Sequence, residues 1–303
     1  MATSLRIAAP AKVNLFLHVI GRRADGYHLL QSIFELIDWC DEIYLSKSAS
    51  PDIVRTGDLL GAVEQDLAVR AAKSLQQTPQ WRAQGSPGAV IAVRKQIPAG
   101  AGLGGGSSDA ASTLLGLNQL WNLGLDKPRL AAIGLTLGAD VPFFIHGTPA
   151  FVEGIGEKIT PFSSRERWLV VAVPPSPVAT AQVFAAPELT RDSKPLKIEG
   201  FADAALSPVW VFGHNDLEPI TRAKFPEVDT LLRQMTLLAE SEKIAPAAVR
   251  MSGSGGAVFC SAPSAETAKR LLQGMQELQK SGAMKDHAQL RLCKTLMAHP
   301  AQW

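Results

Sequence analysis

The segment Pro98-Ala-Gly-Ala-Gly-Leu-Gly-Gly-Gly-Ser-Ser-Asp109 constrains the fold of this chain more than any other. Five glycines fall within the seven positions from Gly100 to Gly106. Such a run lets the backbone take positive φ and approach a ligand without Cβ atoms in the way. Its flanks give it a place in a fold. Ala89–Val93 before it is an apolar run that predicts a strand. After it, Ala110, Leu114, Leu117 and Trp121 recur at helical spacing, with Ala111 and Leu115 beside them, which predicts an amphipathic helix starting near Ser107 or Ser108. The entrance of a helix presents free N–H groups and a partial positive charge, and both suit phosphate. Ser107 and Ser108 add hydroxyls where a phosphate oxygen or a magnesium ion would sit.

Three readings of this loop compete. A flexible linker does not usually lie tightly between a strand and an amphipathic helix. A dinucleotide fold is suggested by Gly100-x-Gly102-x-x-Gly105, which matches G-x-G-x-x-G. That fingerprint expects an acidic residue at the end of a second strand, roughly 20 residues on, where this chain has helix and loop from Leu117 to Asp126. The third reading is a triphosphate loop of a kind other than Walker A. No Gly-Lys-Ser/Thr and no His-Arg-Asp catalytic loop occurs, so the charged groups must come from elsewhere in the chain.

Two segments supply them. Ala9-Pro-Ala-Lys-Val-Asn-Leu-Phe-Leu17 puts Lys12 and Asn14 on one face of a strand, two residues apart. Leu137-Gly-Ala-Asp-Val-Pro-Phe-Phe144 holds Asp140 between Gly138 and Pro142. Taken alone, Lys12 has the competing reading of a solvated edge lysine, and Asp140 that of a helix-termination or turn residue. Together with the glycine loop they suit phosphoryl transfer. A carboxylate within reach of an alcohol assists its attack, and a lysine opposite offsets charge on the transferring phosphoryl group.

The rest of the chain bounds the architecture. With 303 residues, two domains of about 150 each are expected. Hydrophobic residues make up 46% and charged residues 19%, enough to build sizeable cores. A net charge of +2 without a basic block argues against nucleic acid as a partner. The longest apolar runs, such as Trp168–Val173, fall short of the ~20 residues a membrane span needs. Met1–Pro10 carries no charged patch followed by an apolar stretch, so no signal peptide is expected. The cysteines Cys40, Cys260 and Cys293 are widely spaced, which reads as reduced, mostly buried thiols of a cytoplasmic protein and no metal site.

Strands are expected at Ala11–Ile20, Leu29–Leu36, Asp41–Leu45, Trp168–Val173, Ala257–Ser261 and Ala288–Leu292, with a turn at Gly21–Gly26. Helices are expected at Asp66–Leu75, Leu130–Leu137, Glu227–Glu242 and Ala265–Ser281, and Pro142 is expected to break the chain before Phe143–Ile145. Strands and helices in mixed order, without regular alternation, predict an α+β fold. The cluster of Pro, Ser and charges at Thr160–Arg167 puts the domain boundary there, giving domains 1–160 and 161–303. The histidines His18, His146, His214, His287 and His299 show no ligand spacing and read as structural.

The three segments above, with Ser252-Gly-Ser-Gly-Gly256, resemble the GHMP kinases, the superfamily of galactokinase, homoserine kinase, mevalonate kinase and phosphomevalonate kinase. The likeness runs from about Ala8 to about Phe259. Arg23-Ala-Asp-Gly-Tyr-His28, Gly154-Ile-Gly-Glu157, Thr180-Ala-Gln-Val-Phe184 and Asn215-Asp-Leu-Glu-Pro-Ile220 narrow it to members that act on a CDP-linked polyol. The resemblance implies a two-domain fold with the active site in the cleft between the domains. It also implies ATP-dependent phosphorylation of the 2-hydroxyl of CDP-linked methylerythritol, in the non-mevalonate route to isoprenoid precursors.

By motif, Lys12 and Asp140 match the catalytic pair. Pro98, Ala99, Gly100, Ala101, Gly102, Leu103, Gly104, Gly105, Gly106, Ser107 and Ser108 match the ATP-phosphate loop, with Mg2+ as companion ion. Tyr27, His28 and Phe184 match the cytidine pocket, Asn14 and Thr180 lie nearby, and Ser252–Gly256 matches a motif closing the cleft. Tyr27 and Phe184 would sandwich the base. Asp66 stands where the family usually has Asn, so it is kept out of the site. The implied partners are small molecules only, with no membrane, and the chain is expected to be a monomer or weak homodimer. Another GHMP small-molecule kinase, or a non-catalytic nucleotide-binding module, remains the alternative.

Overall fold

The computed structural model describes residues 4–282 and 287–301. Its first half is built on two long antiparallel strands, β1 (Ser4–Arg22) and β2 (His28–Ser48). From Ala9 to Val19 every residue of β1 is buried. This strand therefore feeds all three cores. Ile7 and Ala9 join a cluster with Leu114 and Trp121, Ala11, Val13, Leu15 and Phe16 one with Phe201 and Trp210, and Leu17 and Val19 one with Leu231 and Met235. A side chain such as Phe16, with no exposed surface, contributes ~1.5–3 kcal/mol by leaving water.

A short exposed strand, β3 (Ile53–Gly57), leads to the helices α1 (Leu67–Gln76) and α2 (Pro79–Ala83), and then to β4 (Gly88–Arg94). β4 pairs antiparallel with β2 and parallel with β3. Asp66 caps α1, its carboxylate accepting from the backbone N–H of Ala68 and Val69. The glycine loop follows β4 and enters α3 (Gly105–Leu120). Next come α4 (Lys127–Leu135), capped by Asp126, and α5 (Val141–His146). β5 (Ala150–Gly154) pairs with β2, and β6 (Lys158–Pro161) pairs with β5.

The second half opens with β7 (Trp168–Val173) and the short helices α6 (Thr180–Phe184), α7 (Ala202–Leu206) and α8 (Glu218–Lys224). The long helices α9 (Pro226–Ser241) and α10 (Ala265–Lys280) pack against β7, β8 (Val249–Met251) and β9 (Val258–Ala262). The last strand, β10 (Gln289–Leu296), joins the halves. It runs antiparallel to β7 from Gln289↔Val173 to Lys294↔Trp168, and its end pairs with β2 at Thr295↔Ile37 and Leu296↔Leu36. The strand order is thus β3-β4-β2-β10-β7-β9-β8, with β1 and β5 also on β2. Beside the seam, the fully buried Arg167 donates to Glu35 on β2 and to the carbonyl of Ala205.

The mixed order of elements makes the fold α+β. Several local readings shift. Leu29–Leu36 and Asp41–Leu45 are one strand, because the register with β1 jumps from Pro10↔Cys40 to Ala11↔Ile37 and the resulting bulge absorbs the irregular stretch between them. β1 continues through Gly21 and Arg22, which shortens the expected turn. Pro142 does not break the chain. It sits in the first turn of α5, where a missing N–H costs nothing. The helix after the glycine loop begins at Gly105, before either serine. The three cysteines are free, Cys260 and Cys293 buried and Cys40 half-buried, and burial pushes the Cys260 thiol up to about 12. Among the described residues no helix is long and apolar enough to cross a membrane.

Candidate active site

The glycine loop is held from two sides. On one, the backbone N–H of Lys12 in β1 donates to the carbonyl of Leu103 at 2.9 Å. On the other, the turn after β8 nests against it. The N–H of Ala257 donates to Ala101 O at 3.0 Å. Gly102 has φ +81°, and a Cβ there would lie 2.5 Å from Ser252 O and 2.8 Å from Gly255 N. Only glycine fits that crossing. Gly104, at φ +73°, ends the loop as the N-cap of α3, and a Cβ there would meet the Phe144 ring at 2.8 Å. The contact between the Ser252–Gly256 turn and the loop is therefore backbone to backbone.

A cleft of about 450 Å³ lies along the loop. Its lining includes Pro98–Ser107, Lys12, Asp140, Lys95, Asp66 and Ser254. Ser108 is not part of it. That side chain is fully buried in α3, and its hydroxyl has no partner among the described residues.

Lys12 and Asp140 meet in the lining of the cleft, Nζ to Oδ2 3.6 Å. Their side chains are 5% and 31% exposed. Asp140 occupies the N-cap position of α5, yet its carboxylate makes no capping hydrogen bond and so faces the lysine. Burial pushes the Lys12 ammonium below the usual lysine pKa, and Asp140 offsets part of that effect. Lys12 Nζ also donates to Asn14 Oδ1 and lies 4.4 Å from the centre of the Phe34 ring. Asn14 is fixed in turn. Its Nδ2 donates to Ser32 Oγ at 2.9 Å, and its backbone N–H to Ser252 Oγ at 3.1 Å.

Beneath the loop a second lysine is clamped. Lys95 Nζ donates to Asp41 and, at 2.6 Å, to Asp109 in α3. Asp41 also accepts from the N–H of Ile97 at 2.8 Å. Burial opposes the charge on Lys95, but Asp109 and Asp41 outweigh it and its pKa is raised. Burial pushes the Asp109 carboxyl up to about 7. The position of Lys95, just before Pro98 in sequence, held no signal of this role. Asp66 pairs with Arg55 at 2.9 Å while it caps α1.

Tyr27, His28 and Phe184 gather around a separate pocket of about 460 Å³, together with Leu30 and Ile155. The His28 and Phe184 rings lie 5.0 Å apart at 30°, in contact with each other, and Tyr27 is 62% exposed. Thr180 does not line this pocket. Its hydroxyl lies 3.2 Å from that of Ser254. Arg191, which sequence reasoning passed over, reaches His28. Of the histidines read as structural, His299 is buried against Ser112 and His214 contacts Asp216 at 2.7 Å.

The model of the GHMP kinase N-terminal domain matches residues 66–148, and that of the C-terminal domain residues 204–280. The chain is 48% identical to the 4-diphosphocytidyl-2-C-methyl-D-erythritol kinase of Thiobacillus denitrificans, over 89% of this chain and 90% of that protein. The chain belongs to the GHMP kinases. This GHMP kinase is also 49% identical to the protein of the same name from Cupriavidus taiwanensis, over 88% of its own length and 87% of the relative's. Among solved structures, a crystal structure of 4-(cytidine 5'-diphospho)-2C-methyl-D-erythritol kinase superposes with a TM-score of 0.76 at 33% identity, covering 95% of this GHMP kinase and 99% of that chain. Homoserine kinase from Cytophaga hutchinsonii shares the fold, with a TM-score of 0.72 at 16% identity over 99% and 97% of the two chains.

Proposed function

We infer that this GHMP kinase is a 4-diphosphocytidyl-2-C-methyl-D-erythritol kinase that transfers the γ-phosphoryl group of ATP to the 2-hydroxyl of its CDP-linked polyol. The observation that carries the reading is the Lys12–Asp140 pair, 3.6 Å apart in a cleft lined by the glycine loop. The relatives of the same name, at 48–49% identity over most of both chains, support the choice of substrate.

The ATP phosphates would lie along Pro98–Ser107 at the entrance of α3, where the first N–H groups of the helix lack internal partners. The substrate oxygen attacks Pγ as the bond from Pγ to the ADP oxygen breaks, and the hydroxyl proton passes to Asp140. Lys12 faces both Asp140 and the loop, so its ammonium neutralises charge that builds on the phosphoryl oxygens. In a loose transition state, most of the acceleration comes from position and charge compensation.

Among the described residues no group of three or more His, Cys, Asp or Glu could hold a metal. The cleft does offer the Asp140 carboxylate and the Ser107 hydroxyl. That donor set fits a magnesium ion that arrives on the triphosphate, with most of its ligands from phosphate and water. Such an ion would neutralise part of the β- and γ-phosphate charge.

The aromatic pocket of Tyr27, His28 and Phe184 suits a planar base, while Asn14 contacts Lys12 and Thr180 contacts Ser254, both in the lining of the cleft. The division into domains 1–160 and 161–303 is our assignment, with the boundary at the end of β6 (Lys158–Pro161), ahead of β7 at Trp168. We assign the enzyme to the cytoplasm with small-molecule partners. The test is a coupled ADP-release assay over a panel of alcohols that includes the CDP-linked polyol, mevalonate and homoserine. Turnover confined to the CDP-linked compound is expected, and a preference for either of the others overturns the reading.

A further inference from the structure

Arg191 lies outside every segment singled out above, yet its guanidinium is fully engaged. Nε donates to His28 Nε2 at 3.1 Å. Nη2 donates to the carbonyls of Phe184 at 3.1 Å and Ala186 at 2.7 Å, and Nη1 to Leu189 O at 3.0 Å. The side chain thus ties the end of α6 to the start of β2 across the aromatic pocket.

A guanidinium has donors only. His28 Nε2 must therefore offer its lone pair, which leaves the imidazole neutral with its proton on Nδ1. Nδ1 makes no hydrogen bond to any described residue, and His28 lines the pocket beside Phe184. We propose that Arg191 is a positioning residue that makes His28 a neutral Nδ1–H donor and thereby selects a cytosine over a uracil base. Cytosine presents a lone pair at N3, where uracil presents an N–H. A fixed donor pairs with the first and opposes the second, and a buried mismatch of this kind is costly. This rests on the reading of the substrate given above.

Burial, reinforced by the positive charges of Arg191 and Arg22, keeps the His28 pKa below that of an ordinary histidine. Asp25 lines the same pocket. Without Arg191 the ring would be free to take its other tautomer, whose Nδ1 lone pair repels cytosine N3. Acid would then restore an Nδ1–H by protonating the ring. A merely structural arginine produces no such recovery.

The experiment compares CDP- and UDP-linked polyols as substrates of wild type and Arg191→Met at about pH 8 and about pH 5.5, either side of the ordinary histidine pKa. Wild type should prefer the cytidine compound equally at both. In the variant, the KM preference should fall about tenfold or more at the higher pH and return at the lower, with kcat and the KM for ATP nearly unchanged. A preference unchanged in the variant, or lost equally at both pH values, overturns the proposal. Nitrogen-15 NMR of the histidine-labelled wild type supplies a measurement free of any folding defect. It should find His28 protonated at Nδ1 and bare at Nε2, and the opposite tautomer overturns the proposal. If wild type turns over neither compound, the substrate reading fails first, and the NMR result still decides the Arg191–His28 pairing.

Discussion

Lys12 is a buried cation whose neighbours decide what it does. Asn14, Phe34 and Asp140 surround its ammonium, and burial still leaves its pKa lowered. Its charge is therefore lost at lower pH than the ordinary lysine value of 10.5. In kcat/KM, which reports the free enzyme, the alkaline limb should appear below that pH. In kcat it should move upward, because bound phosphates favour the ammonium. Rate profiles with pH check this, and coincident limbs would exclude Lys12 as their source. In the proposed reaction Asp140 takes the hydroxyl proton. Asp140→Asn should lower kcat by about 100-fold or more, within the usual range for general base catalysis, while ATP still binds. Unchanged turnover by ADP release would remove Asp140 from its role. Lys12 stood out in the sequence as a charge beside an apolar run, whereas Asp140, alone an ordinary turn residue, gained its meaning from the other motifs. Lys95 did not stand out. Nothing in Arg94-Lys-Gln96 hints that Asp41 and Asp109, on two other elements, converge on it.

At the scale of elements, the loop before α3 and the turn after β8 form one unit. Their backbones cross at Gly102 and Gly255, where a Cβ on either would strike the other's main chain. Gly102→Ala should therefore distort the glycine loop at a cost of ~1–3 kcal/mol, typical for strain at positive φ. It should also raise the KM for ATP. Gly124→Ala is the control. That glycine also has positive φ, +67°, but its Cβ would enter open space. Thermal melts and ATP titrations of both variants check this, and equal effects on ATP would show that the crossing is unimportant. Periodicity made the long helices legible. β3, β5, β6 and β8 escaped notice because each is short and carries a charged residue that interrupts the apolar run, whereas the equally short β9 carries none. The fusion of β2 was hidden because its bulge depends on register with β1, and register is not a local property.

Across the whole molecule, the chain after β10 returns to the first half and docks there. The N–H of His299 donates to Gly147 O at 2.7 Å, and its Nδ1 accepts from Ala301 N–H at 3.0 Å. Nε2 therefore carries the proton and donates to Ser112 Oγ at 3.2 Å on α3. Burial pushes the His299 pKa down to about 4, against 6.5 for the ordinary group. Between those values the unfolded chain binds the extra proton and the folded one does not. Stability is thus fully present above about pH 6.5 and declines as pH falls toward about 4, by up to ~3 kcal/mol. Denaturant unfolding at neutral and acidic pH should give a shallower acid loss for His299→Gln than for wild type. An equal loss would place the acid sensitivity elsewhere.

The sequence by itself determined the α+β class, and it singled out the glycine loop together with the lysine and aspartate that line the same cleft. These are local signals, written in hydrophobic period, in glycine and proline, and in charge beside apolar runs. Only the tertiary structure decided which charges meet. It brought Lys12 to Asp140, clamped Lys95 between two aspartates, took Ser108 out of the cleft, and gave His28 an arginine that sets its proton. Such contacts join residues far apart in the chain. They form only when several elements pack at once, so no window of neighbouring residues carries them.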